Sequence, residues 1–307
     1  MRRVLGAIGR VLTTLGLLIL LFVAYQLWGT SIYTDRLQNE LAQDFAAALE
    51  RAPDRSSTTT TTNPTPTPST TTTTTTPPLP PPVGEAVAQI RIPKIGLDNI
   101  VVNGTSREDL RKGPGHYPDT PMPGQEGNAA IAGHRTTYGA PFGNLDQLAP
   151  GDRITVRTLE GTFDFDVTEQ LIVDPSDVAV LKPVHEEPFD ASSPLLATLT
   201  LTTCNPKYSA AQRLVVKAQL SPEFEPLPAP VELPKQPHFQ VEDLSGDEGS
   251  KLPTVLAGLV VALVGALWLL FYHRHPRWTT WLMGVVPFAI VLFVFYVFLE
   301  RVLPSNY

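Results

Sequence analysis

Only one cysteine stands among the 307 residues. No disulfide can close within the chain, so an exported domain must be held by its own core. The single thiol, Cys204, is either a small buried apolar residue or a reactive group. Basic residues are also scarce, 23 Lys and Arg against 30 Asp and Glu for a net charge of −7. They gather into no stripe on any stretch able to fold as a domain, which argues against nucleic acid as a partner. Ordinary soluble sequence is the third shortage. Three strongly apolar stretches and one run of Thr and Pro leave residues 84–222 as the globular candidate, enough for one small domain with a single core.

The apolar stretches have basic neighbours. Arg2, Arg3 and Arg10 lie in residues 1–10, ahead of a charge-free run closed by Trp28, so residues 11–30 are expected to be an uncleaved transmembrane anchor with a cytoplasmic N-terminus. A cleaved signal peptide is the rival, but the run is longer than a usual signal core and no small-x-small site follows it. Residues 252–272 and 279–300 form two further spans around the short basic connector 273–278, which the positive-inside rule places in the cytoplasm. Three crossings then put residues 31–251 and the C-terminal 301–307 outside, with membrane lipid as a partner. The rival for the last two spans, a buried helical hairpin, fits poorly with their length and lack of a polar face.

Between anchor and domain, Leu37, Leu41, Phe45, Ala46 and Leu49 recur at helical spacing, so residues 31–55 read as a helical stalk. Residues 56–83, nearly all Thr, Pro and Ser, cannot bury a core and read as an extended tether that lifts the domain away from the bilayer. A second linker, residues 223–251, is rich in Pro and acidic side chains.

Within the candidate domain, short β-branched or alternating runs recur at 88–92, 99–102, 128–132, 153–157, 162–168, 195–202 and 213–219, separated by turn-rich segments. The expected fold class is all-β, a closed barrel with helical turns such as 106–112, to which the three membrane helices are added. Cys204 follows a strand-like run at the point where Asn205-Pro206 must break the ladder. Arg213 opens the next run, so antiparallel neighbours would bring its guanidinium close to the sulfur. The run 129–135 ends another strand on His134. Taken singly, each has a structural reading: a buried thiol, a loop-bracing imidazole, a surface strand arginine. Together they make a coherent acyl-transfer set, in which a thiolate attacks an amide carbonyl, an imidazolium protonates the leaving amine, and a guanidinium donates to the developing oxyanion. His185, beside Glu186, Glu187 and Asp190, reads as part of a solvated acidic loop rather than a calcium site. No metal and no cofactor are expected.

Thr200-Leu201-Thr202-Thr203-Cys204, Arg213 and His134 resemble the signature of the sortase family of cysteine transpeptidases. The resemblance covers roughly residues 88–220, with supporting pieces in Ile90-Arg91-Ile92-Pro93-Lys94-Ile95 and in Gly104-Thr105 through Gly113-Pro114-Gly115-His116. The runs Gly115-His116-Tyr117-Pro118 and Gly133-His134-Arg135 through Phe142 resemble class E, the actinobacterial housekeeping group. The resemblance implies an eight-stranded barrel and cleavage of a Leu-Ala-x-Thr-Gly or Leu-Pro-x-Thr-Gly sorting signal between Thr and Gly. It implies transfer of the surface protein to a cell-wall amine of lipid II type, with Tyr117, Thr203 and His116 as substrate contacts. The two C-terminal spans are more reminiscent of class C, the pilin-polymerising enzymes, which often carry one. A non-catalytic, wall-reaching binding module is the alternative from another functional class.

Overall fold

The computed structural model describes residues 13–14, 16–52, 81–185, 195–229, 252–275 and 278–300. The expected N-terminal segment 1–10, nearly all of the Thr/Pro run, residues 230–251 of the second linker, the C-terminal 301–307 and Glu186, Glu187 and Asp190 lie outside the described residues. The chain divides into two units, one of Met1–Gly29 with Asp247–Ser305, the other beginning at Thr30 and running to Gly246.

The second unit is built on eight strands: β1 Ala86–Ile92, β2 Leu97–Asn103, β3 Gly115–His116, β4 Gly127–Ala132, β5 Arg153–Thr158, β6 Thr162–Val173, β7 Ala197–Asn205 and β8 Gln212–Leu220. They close into a barrel in the order β1-β2-β3-β4-β7-β8-β6-β5. The pairs β2–β3 and β4–β7 are parallel, and the others are antiparallel. Alternation along each strand fills the interior with Ile90, Ile131, Ile154, Phe165, Leu199, Leu201 and Val216. Ala130, Ala132, Tyr117 and Val215 belong instead to a second apolar cluster, which Leu110 and Val180 complete.

Two strands differ from expectation. Strand β6 runs past residue 168 because its ladder with β8 shifts register between Val167 and Glu169 and then resumes to Val173. That bulge resets the alternation on which the sequence pattern depended. Strand β7 continues to Asn205, which still pairs with Gln212, so Cys204 lies inside the ladder and Pro206 is the first residue unable to extend it. After β8 the chain stays on the barrel, where Leu227 exchanges backbone hydrogen bonds with Gly124 and Glu126 at 2.8 Å each.

Helix α1, Thr30–Arg51, belongs to this unit and packs on β1 and β2. It is not a free stalk. The amide of Gln38 donates to the carbonyls of Ile100 (2.9 Å) and Lys112 (2.7 Å), and its oxygen accepts the N–H of Ile100 at 2.7 Å. One side chain therefore closes the exposed edge of β2 as a neighbouring strand would. The one-turn helix α2, Arg107–Leu110, starts on a reciprocal cap between Ser106 and Asp109.

In the other unit, α3, Leu252–Arg274, and α4, Trp278–Glu300, are the two described helices long and apolar enough to cross a membrane. The Thr254 hydroxyl donates to the Phe298 carbonyl at 2.7 Å and joins them. The first expected span begins outside the described residues; its described part is helical, ending in a π-helical turn at Tyr25–Gly29. The closed eight-stranded barrel is as expected, but all-β is too narrow for the chain, since α1, α3 and α4 are 22, 23 and 23 residues long.

Candidate active site

The antiparallel register of β7 and β8 sets Cys204 directly across from Arg213. Strand β4 lies on the other side of β7, where Ala132 pairs with Thr202. The Gly133 N–H extends this ladder by donating to the Thr202 carbonyl at 3.0 Å. The alternation that turns Ala130 and Ala132 away from the barrel interior carries over to His134, and that of Thr200 and Thr202 to Cys204. Thiol, imidazole and guanidinium thus lie at one end of three adjacent strands. Glycine is required before the histidine, because a Cβ at Gly133 would come within 2.6 Å of the Phe142 ring.

All three side chains are sequestered, with exposures of 1% for Cys204, 4% for His134 and 1% for Arg213. Burial pushes the Cys204 thiol up to about 11, against the opposing pull of the Arg213 and Arg135 guanidinium groups. Arg213 is held by its own hairpin, its Nη1 donating to the carbonyls of Ala210 and Gln212 at 3.0 Å each. His134 has its Nδ1 3.3 Å from the Thr137 hydroxyl and its ring 4.9 Å from that of Tyr138. Arg135 points the other way: its Nη1 donates to the Cys204 carbonyl and to Asn205 Oδ1, both at 2.8 Å, and its Nη2 lies 3.4 Å from Asp146. It ties the strand end that carries the imidazole to the strand end that carries the thiol.

The family model of the sortase domain matches residues 90–221. Sortase SrtE1 of Streptomyces coelicolor is 32% identical over 229 residues, 71% of this chain and 57% of that protein. Sortase D of Bacillus subtilis is 33% identical over 126 residues, 41% of this chain and 58% of that protein. The chain carries a sortase domain at residues 90–221. Its likeness to a sortase E agrees with the class E resemblance of the Gly-His-Tyr-Pro and Gly-His-Arg runs. The chain spans somewhat more than half the length of these two curated relatives. A solved structure of sortase E from Streptomyces avermitilis is 37% identical, with a TM-score of 0.39 over 45% of this chain and 90% of that one.

The further residues expected at the sortase site occupy distinct positions. Tyr117 is buried in the outer cluster and its hydroxyl meets that of Thr202 at 3.2 Å; desolvation pushes the phenol up to about 12. It lies on the face that carries Cys204. Thr203 is fully buried and donates to the Gly133 carbonyl at 2.7 Å, bracing the strand end that precedes His134. His116 is buried too, its Nε2–H donating to the Pro121 carbonyl at 2.9 Å. Its Nδ1 has no hydrogen-bond partner among the described residues, and burial drives the imidazole down to about 4, so it stays neutral and secures the turn after β3. The described residues contain no group of His, Cys, Asp and Glu able to hold a metal ion.

Sequence reasoning did not single out Arg135 or Tyr138. Arg135 follows His134 directly and Asp146 lies downstream, but nothing in that spacing says where the guanidinium turns. Tyr138 has φ of 53°, a left-handed conformation that a non-Gly residue adopts only where its surroundings enforce it.

Proposed function

We propose that this sortase-domain protein is a cysteine transpeptidase acting on C-terminal sorting signals of the Leu-Ala-x-Thr-Gly or Leu-Pro-x-Thr-Gly type. The observation that supports it is the pairing of Cys204 with Arg213, with His134 closing the adjacent parallel strand. In the first half-reaction the thiolate of Cys204 attacks the Thr carbonyl, and Arg213 donates to the oxyanion. The Thr–Gly bond breaks as the imidazolium of His134 gives its proton to the leaving amine. A thioester to Cys204 remains. In the second half-reaction an amine, proposed as that of a cell-wall precursor of lipid II type, attacks the thioester, loses its proton to His134 and releases the thiolate. Arg suits the oxyanion role because it stays charged and its donors form a rigid fork.

Tyr117, on the same face as Cys204, fits the role of selecting Ala at the second signal position. The apolar helices α3 and α4, with the basic residues Arg274 and Arg277 where one gives way to the other, support a multi-pass protein with an extracytoplasmic barrel, and the run ending at Trp28 supplies the first crossing.

The test is mass analysis of the full chain incubated with a sorting peptide and an amine. A thioacyl adduct on Cys204, resolved by the amine to a Thr-amine product, is expected. Peptide binding with neither adduct nor product would make the domain a binding module and sink the transpeptidase reading.

A further inference from the structure

Helix α1 precedes the Thr/Pro run, yet it reaches residues beside the site. Its first two turns supply two hydroxyls on one face, Thr30 and Thr34, each 2% exposed. The Thr30 hydroxyl accepts the backbone N–H of Tyr138 at 3.1 Å. The Thr34 hydroxyl donates to the Arg111 carbonyl at 2.9 Å, and the Arg111 guanidinium lies 5.7 Å from the centre of the Tyr138 ring. One turn of helix thus holds the backbone of Tyr138, and the next holds the residue packed over its ring. The ring also lies beside the imidazole of His134, 4.9 Å away at an interplanar angle of 38°. These contacts bear on a loop in which Tyr138 and Ala140 both have left-handed φ, 53° and 46°. Such a backbone persists only while its neighbours hold it.

We propose that α1 is part of the catalytic apparatus: through Thr30 it fixes Tyr138, which serves as a positioning residue that sets the orientation of the His134 ring. The inference rests on the transpeptidase reading for its kinetic consequence, though not for the contact itself. The chemistry explains the need. His134 gives a proton to one amine and takes one from another within each cycle, so its ring must point the same way in both half-reactions, with little freedom to rotate. Neither Thr30 nor Tyr138 need touch the peptide.

The test uses the full chain in lipid nanodiscs, comparing the native protein with Thr30→Val, Thr30→Ser and Tyr138→Leu. The readouts are the Cε1 proton resonance of His134 and the kinetics on a sorting peptide with a soluble amine. In Thr30→Val and Tyr138→Leu the resonance is expected to lose the upfield ring-current displacement due to Tyr138. Turnover should fall about tenfold with KM unchanged, as for a misoriented acid/base group. Thr30→Ser keeps the acceptor and should restore both readouts. A resonance that stays put in Thr30→Val, or a Thr30→Ser protein as impaired as Thr30→Val, would overturn the proposal, as would a loss confined to KM. If the native chain turns over no sorting peptide while the His134 resonance still follows Thr30, the positioning stands and the transpeptidase reading falls.

Discussion

Cys204 sits in a site where two effects compete for its proton. Burial favours the neutral thiol, Arg213 and Arg135 favour the thiolate, and burial wins, leaving the group up at about 11. The thiolate is therefore a small minority at neutral pH, and its fraction grows about tenfold with each pH unit. Because this is the chain's only thiol, its alkylation by iodoacetamide is read without ambiguity. The rate should climb steadily with pH, and Arg213→Gln should lower it at every pH by removing one of the two opposing charges. A plateau near neutrality would show a pre-formed thiolate instead. For turnover, the proposed oxyanion role makes Arg213→Lys cost about 100-fold, since an ammonium cannot reproduce the fixed fork of a guanidinium. Near-native turnover in that variant would reduce Arg213 to a source of charge. His116 gives a stability prediction with a definite sign. Its folded value, about 4, lies below the ordinary 6.5, so the unfolded chain binds the proton more readily between them. Stability is fully present above about 6.5 and is lost as pH falls toward 4, by about 3 kcal/mol in all. His116→Gln, which keeps a donor for Pro121, should flatten that part of the Tm-against-pH curve.

At the scale of elements, the most specific contact is the one Gln38 makes with the edge of β2. Gln38→Ala strands the N–H and C=O of Ile100, and a buried backbone pair left unmade costs about 1–3 kcal/mol. Thermal unfolding of the variant should show that loss, and an unchanged Tm would mean that water replaces the amide. This contact also shows where the sequence ceased to be legible. Helix α1 was recognisable from Leu37, Leu41 and Phe45, the last of them buried, but the hydrogen bonds that fix its docking come from Thr30, Thr34 and Gln38, and apolar periodicity is blind to polar side chains that bond to backbone. Strand β3 has two residues, Gly115 and His116, too few for any pattern, and exists because β2 and β4 offer it ladders on both sides. The hairpin was legible for the opposite reason. A tight return between two β-branched runs left few registers, so the proximity of Cys204 and Arg213 followed from local sequence alone. His134 could be assigned to a strand end, but the parallel ladder of β4 with β7 spans some seventy residues of chain and leaves no local trace.

For the whole molecule, the proposed topology rests on the basic flanks. A tag inserted near Gln236 should be accessible to external protease in intact cells, and one in the connector between α3 and α4 should be protected. Equal access to both would remove the three-span arrangement. The placement of α1 changes the meaning of the Thr/Pro run. Both of its neighbours, α1 and β1, belong to one unit, so the run joins two parts of a single fold and does not join the anchor to the barrel. A single proteolytic cut there would leave two polypeptides that remain one protein. The N-terminal piece, with α1 hydrogen-bonded to β2, would act as a detachable subunit, and a barrel made without it could be complemented by adding that piece back.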